Sequence, residues 1–231
     1  MNAMSKTIMP GGGIARRPLH FIILADCSGS MRADDGKKIQ ALNFAIAEML
    51  QHLTAWERDQ ERCDVLVRAI AFATEPRWHI PEPTPVSRLR WAPLTGIVGG
   101  RTNMAPAFRM AASVLGNDRL ERRAFSPVLL LITDGMPTDD PKDFDRGLET
   151  LMGLRAGREA MRLAVAIGRD ARSEALTRFI ADPQQPVLLA SSIDEIADKL
   201  KLVSRLVSQG SAAAQDEPDE GQPVNDFDVV V

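Results

Sequence analysis

Apolar residues along this chain follow two alternating rhythms, and the alternation predicts the fold. Phe21-Ile22-Ile23-Leu24-Ala25 is a continuous apolar run, so a buried strand is expected from about Leu19 to Ala25. From Lys37 to about Trp56 the spacing becomes helical, with Ile39, Leu42, Ile46, Met49, Leu50 and Leu53 on one face. Cys63 to Ala73 returns to strand rhythm and is apolar on both faces apart from Arg68. After Thr74-Glu75-Pro76, the segment Arg77-Trp78-His79-Ile80 reads as an antiparallel edge partner, with Pro81, Pro83 and Pro85 expected to stop it.

The second half repeats the alternation. Irregular chain from Ser87 to Gly100 leads into a helix reaching about Leu115, with Thr102 as its expected N-cap and Met104, Phe108, Ala111, Ala112 and Leu115 as its buried stripe. Pro127 to Thr133 is the most apolar strand. There follow a helix over Asp143–Ala156, a strand over Arg162–Ile167, a helix near Arg172–Ile180, a short strand at Val187–Ala190 and a last helix from Ser192 to about Val207. Near-continuous apolar strands alternating with helices predict an α/β fold: a doubly wound, mostly parallel central sheet with one antiparallel edge strand and helices on both faces.

Composition narrows the setting. The 45% hydrophobic and 26% charged content is that of an ordinary globular domain, expected over residues 18–208. Residues 1–17, with Gly11-Gly12-Gly13, read as a flexible leader without a signal-peptide apolar region, and residues 209–231 as an acidic disordered tail. The net charge of -3 conceals an asymmetry: with the six acids Asp216, Glu217, Asp219, Glu220, Asp226 and Asp228 set aside, the preceding body stands near +3. Neither nucleic acid nor a membrane is therefore an expected partner. Cys27 and Cys63 form no metal-ligand pairing, and a reducing cytoplasm is the expected compartment.

The polar loops carry the candidate chemistry. Asp26-Cys27-Ser28-Gly29-Ser30 follows the first strand, and alternating side chains there place Asp26, Ser28 and Ser30 on one side. Thr102 precedes a helix, and Asp134 follows the apolar strand ending at Thr133. In a doubly wound sheet these loops meet at the carboxyl ends of strands, where ligands bind. Two carboxylates and three hydroxyls make a hard-oxygen set suited to Mg²⁺, with Mn²⁺ or Ca²⁺ as substitutes.

Together, Asp26-x-Ser28-x-Ser30, Gly99-Gly100-Arg101-Thr102 and Thr133-Asp134-Gly135 resemble the metal-ion-dependent adhesion site of von Willebrand factor type A domains. The wording Ala25 to Met31 and Leu131 to Asp139 resembles that of bacterial TerY-like proteins of the tellurium-resistance group. Arg101 departs from the smaller residue many members carry before the threonine. The resemblance implies metal ligation by Ser28, Ser30 and Thr102 through hydroxyls, and by Asp26 and Asp134 directly or through water. It also implies a strand order of 3-2-1-4-5-6, and a protein partner that supplies an Asp or Glu carboxylate, in a stress-response or signalling assembly.

Other readings compete. An Mg²⁺-dependent hydrolase acting on phosphate esters would need a nucleophile or general base that the chain does not offer in any motif, and an interaction scaffold with a vestigial site is a third reading. Asp34, Asp35, Asp139 and Asp140 share the polar loops but read better as helix-start carboxylates. The terminus Asp226-Phe227-Asp228-Val229-Val230-Val231 reads either as a solvated tail or as a docking segment for self-association.

Overall fold

The computed structural model describes residues 16–60, 62–96, 100–116, 124–168 and 174–215. Its strands are β1 (Arg17–Asp26), β2 (Cys63–Phe72), β3 (Pro76–Pro85), β4 (Val128–Thr133), β5 (Met161–Ile167) and β6 (Leu188–Ala190). Its helices are α1 (Lys37–Asp59), α2 (Met104–Leu115), α3 (Pro141–Gly153), α4 (Arg155–Glu159), α5 (Glu174–Ile180) and α6 (Ile193–Gln215). One sheet runs in the order β3-β2-β1-β4-β5-β6. All neighbours are parallel except β2 and β3, which run antiparallel.

Two apolar layers sandwich the sheet. Phe21, Ile23 and Ala25 of β1 face a core completed by α1 and α6, while Ile22 and Leu24 face one completed by α2, α3 and α5. On the second face, Phe108 stacks on Phe179 at 5.3 Å and meets Phe144 edge-on at 5.6 Å. Burying each such side chain contributes about 1.5–3 kcal/mol, so both faces anchor β1 and β4 and fix where their ends emerge. Strand order reverses between β1 and β4, which makes their carboxyl ends the crevice where such folds place ligands.

Three local expectations need correction. The edge strand passes Ile80 and continues to Pro85, because between Ile80 and Thr84 three residues of β3 stand against one of β2, Arg68. Pro81 and Pro83 sit in that irregularity, where no ladder N–H is required. The N-cap of α2 is Asn103, and it makes no side-chain cap; Asp139 from another loop caps the helix instead. The last helix continues to Gln215, eight residues beyond Val207. Residues 1–15 and 216–231, which hold most of the expected leader and tail, lie outside the described residues. No helix among the described residues is long and apolar enough to cross a membrane.

Candidate metal centre

Asp26 is the last residue of β1 and is completely buried. Its Oδ1 accepts the backbone N–H of Ser28 at 2.7 Å, and its Oδ2 accepts the Thr133 hydroxyl at 2.5 Å. The carboxylate thus ties the loop after β1 to the end of β4. Burial pushes its pKa up from 3.8 to about 6, against the hydrogen bonds from Thr133 and Ser28 that favour the charged form.

Ser28 and Ser30 lie just beyond, at the start of a short 3-10 turn, Gly29–Arg32. Their hydroxyls are 3.1 Å apart, and Ser30 Oγ donates to Asp134 Oδ1 at 2.7 Å. The other oxygen of Asp134, Oδ2, is 2.7 Å from Lys38 Nζ. Asp26, Ser28, Ser30 and Asp134 therefore form one continuous polar cluster, linked through Thr133.

Thr102 is brought to the same place by a set of cross-loop bonds. Its N–H donates to Thr138 Oγ1 at 3.0 Å while the Thr138 N–H donates to its carbonyl at 2.9 Å, a reciprocal clamp. Gly100 accepts the Gly29 N–H at 3.0 Å, and the Asn103 N–H donates to the Ala73 carbonyl at 2.9 Å. Thr102 Oγ1 faces Gly135, lying 3.5 Å from where a Cβ at that glycine would stand. Thr102 is buried, and among the described residues its hydroxyl takes no protein partner. That unspent oxygen is the observation that best suits a cation.

The donor set fits a hard cation. It is all oxygen, with two carboxylates set among neutral hydroxyls. Among the described residues, no group of three or more His, Cys, Asp or Glu side chains is gathered as a metal site, so the hydroxyls define this one. Asp139 binds the N–H groups of Met104 and Ala105 at 2.7 and 3.1 Å, and Asp140 caps α3 through the Lys142 N–H at 2.9 Å. Both carboxylates serve helix starts. Asp35 is exposed in the turn before α1.

The cysteines are inert as nucleophiles. Burial pushes both Cys27 and Cys63 up to about 12, with the charge of Asp26 adding to the effect at Cys27. Arg101 is exposed at the rim, and Met136 presents an apolar side chain that is 62% exposed two residues after Asp134.

Two participants escape a sequence reading: Thr133 bridges the two strand ends, and Lys38 neutralises Asp134. Only Lys38 carries a sequence signal: a lysine in the first turn of a helix stands at the unfavourable end of the dipole. Asp139 is a helix-start carboxylate as expected, but the helix it serves is α2, in place of the expected local cap.

A family model described as von Willebrand factor type A domain matches residues 21–137, about half of the chain. A search of curated proteins found no match. Among solved structures, a von Willebrand factor type A protein from Catenulispora acidiphila superposes with a TM-score of 0.60 at 18% identity, covering 81% of this chain and 42% of that one. Proximal thread matrix protein 1 from the mussel byssus, with a zinc-occupied MIDAS motif, superposes with a TM-score of 0.62 at 15% identity, over 84% of this chain and 49% of that one. The ArnB paralog VWA2 from Sulfolobus acidocaldarius gives 0.56 at 17%, over 81% and 45%. At these identities the likeness is one of fold, and the chain spans less than half the length of each of the three.

Proposed function

The chain belongs to the von Willebrand factor type A domain family, and from that premise we propose that it is a cation-dependent protein-binding module. Its metal-ion-dependent adhesion site is Asp26, Ser28, Ser30, Thr102 and Asp134, and its cation is Mg²⁺, with Mn²⁺ or Ca²⁺ as substitutes. The observation that carries the reading is the convergence of three loops at the strand-order reversal, with the Thr102 hydroxyl left unpartnered among the described residues.

A divalent cation held there supplies a Lewis-acidic attachment point for a carboxylate oxygen. The chain's own residues set how strong that attachment is. Ser28, Ser30 and Thr102 contribute oxygens without adding negative charge, so the cation's charge stays available to an Asp or Glu of the partner. Asp26 holds the Ser28 backbone and the Thr133 hydroxyl in place behind the cluster. Exposed Met136 offers apolar contact at the rim, and Arg101 adds a positive charge that favours an acidic partner segment.

The loop wording resembles that of TerY-like proteins, and on that basis the assembly we propose is a bacterial, cytoplasmic stress-response complex of the tellurium-resistance group. Affinity capture from native lysate tests the reading. Partners retained by the wild type in Mg²⁺ are expected to be released by chelator and absent from an Asp26→Ala bait. The same partners under all three conditions would contradict it. Removing residues after Gly210 in the same assay tests self-association through the tail: loss of a captured second copy supports it, and unchanged capture leaves the tail without that role.

A further inference from the structure

We propose that Lys38 is a tethered cation that holds the site in its metal-free form and must leave Asp134 before a divalent ion takes that carboxylate. The inference rests on the cation-binding reading above and adds the residue that sets its affinity. Lys38 is the second residue of α1, and its Nζ stands 2.7 Å from Asp134 Oδ2. The Asp134 side chain has no solvent exposure, whereas that of Lys38 keeps 26%. The lysine therefore reaches inward from the surface to a carboxylate that cannot find water. Ser30 Oγ takes the other oxygen at 2.7 Å, so protein donors occupy both sides of Asp134.

Local helix energetics do not explain this placement. A lysine in a first turn opposes the helix dipole, and no acidic residue stands in that turn to offset it. The backbone before α1 is also bent in an unusual way. Asp35 and Gly36 both adopt left-handed conformations, with φ of 56° and 77°. Two such residues in succession turn the chain sharply after the 3-10 turn that follows Ser28 and bring the first turn of α1 over the site. Left-handed backbone at a non-glycine residue is uncommon and persists where surrounding contacts enforce it.

The chemistry of the ammonium suits a displaceable occupant. Lysine is a single point charge on a flexible stem, with donors that rotate freely and water within reach. A divalent ion and an ammonium sharing one carboxylate oxygen repel each other strongly at such short range. The direction of the effect is therefore fixed: Lys38 lowers the affinity for the cation and supports the fold without it.

Calorimetric titration of Mn²⁺ into the full chain, as wild type, Lys38→Met and Lys38→Gln, tests this together with thermal unfolding in chelator and in saturating Mn²⁺. Both variants are expected to bind on the order of tenfold tighter, the effect of losing one charge-assisted competitor. Lys38→Met is expected to melt below wild type in chelator and to gain more in Tm on adding Mn²⁺. Equal or weaker Mn²⁺ binding by both variants, with binding by wild type intact, overturns the proposal and leaves the cation-binding reading standing. No binding by any of the three overturns both.

Discussion

Replacing Asp26 by Asn should stabilise the metal-free protein at neutral pH while removing its response to cations. Asp26 is fully buried, and burial raises its pKa from 3.8 to about 6. The native state thus holds the proton more tightly than the unfolded chain. The stability this brings is fully present below pH 3.8, declines as pH rises, and is gone above about 6. A shift of about two pH units at 1.36 kcal/mol each amounts to about 3 kcal/mol. Asn has no ionisation to suppress, and it keeps the local bonding. Its Oδ1 accepts the Ser28 N–H, and its amide donates to Thr133 Oγ1, whose hydroxyl turns to the Gly135 carbonyl 3.2 Å away.

Urea unfolding of both proteins in chelator, at steps from pH 4 to 7.5, measures the difference free of other titrating groups. Asp26→Asn should match wild type near pH 4 and exceed it by up to about 3 kcal/mol at pH 7. A difference that stays flat with pH, or that favours wild type at pH 7, would refute the reasoning. Pairing the proteins matters because His20 slopes the other way over the same range.

His20 is buried, and its pKa is lowered to about 4 by burial and then by Arg68, so its contribution is present above 6.5 and lost as pH falls toward 4. His20→Leu should therefore gain on wild type by up to about 3 kcal/mol between pH 7 and 4, read as an acid-unfolding midpoint at lower pH; an unchanged midpoint would count against it. Thr102→Val removes a hydroxyl with no protein partner among the described residues. It should change stability in chelator by less than about 1 kcal/mol yet weaken Mn²⁺ binding at least about tenfold by calorimetry, and unaltered affinity would remove Thr102 from the site. Asp139→Ala uncaps α2 and should cost about 1–2 kcal/mol in urea unfolding, whereas a loss near zero would mean that the two bonds to Met104 and Ala105 contribute little.

What could be read from the sequence follows from the range of each interaction. Burial on both faces makes β1, β2, β4 and β5 near-continuous apolar runs, and these are visible without a structure. The amphipathic stripe of α1 is equally plain: Ile39, Leu42, Ile46, Met49, Leu50 and Leu53 are all buried. The meeting of the loops at the carboxyl ends of strands follows from the strand–helix alternation, and the strand order from the family resemblance carried by Asp26, Ser28, Ser30, Thr102 and Asp134.

Long-range partners were not legible. Lys38 meets Asp134 across 96 positions and Thr133 meets Asp26 across 107, so neither bond leaves a local pattern. Thr102 misled for the same reason: local rules name a threonine before a helix as its cap, but Asp139, 35 positions from Met104, took that duty. That exchange leaves the Thr102 hydroxyl free for other chemistry. The prolines of β3 misled because a rule about ladder N–H groups does not apply within a bulge.

The central claim is that three loops build one cation site from hydroxyls and two carboxylates. Anomalous diffraction from crystals grown with Mn²⁺ tests it most directly. The account predicts a single strong peak at the ends of β1 and β4, bounded by Ser28 Oγ, Ser30 Oγ and Thr102 Oγ1, with Lys38 Nζ moved off Asp134. No peak there, or a peak elsewhere with the Lys38–Asp134 pair intact, would contradict it.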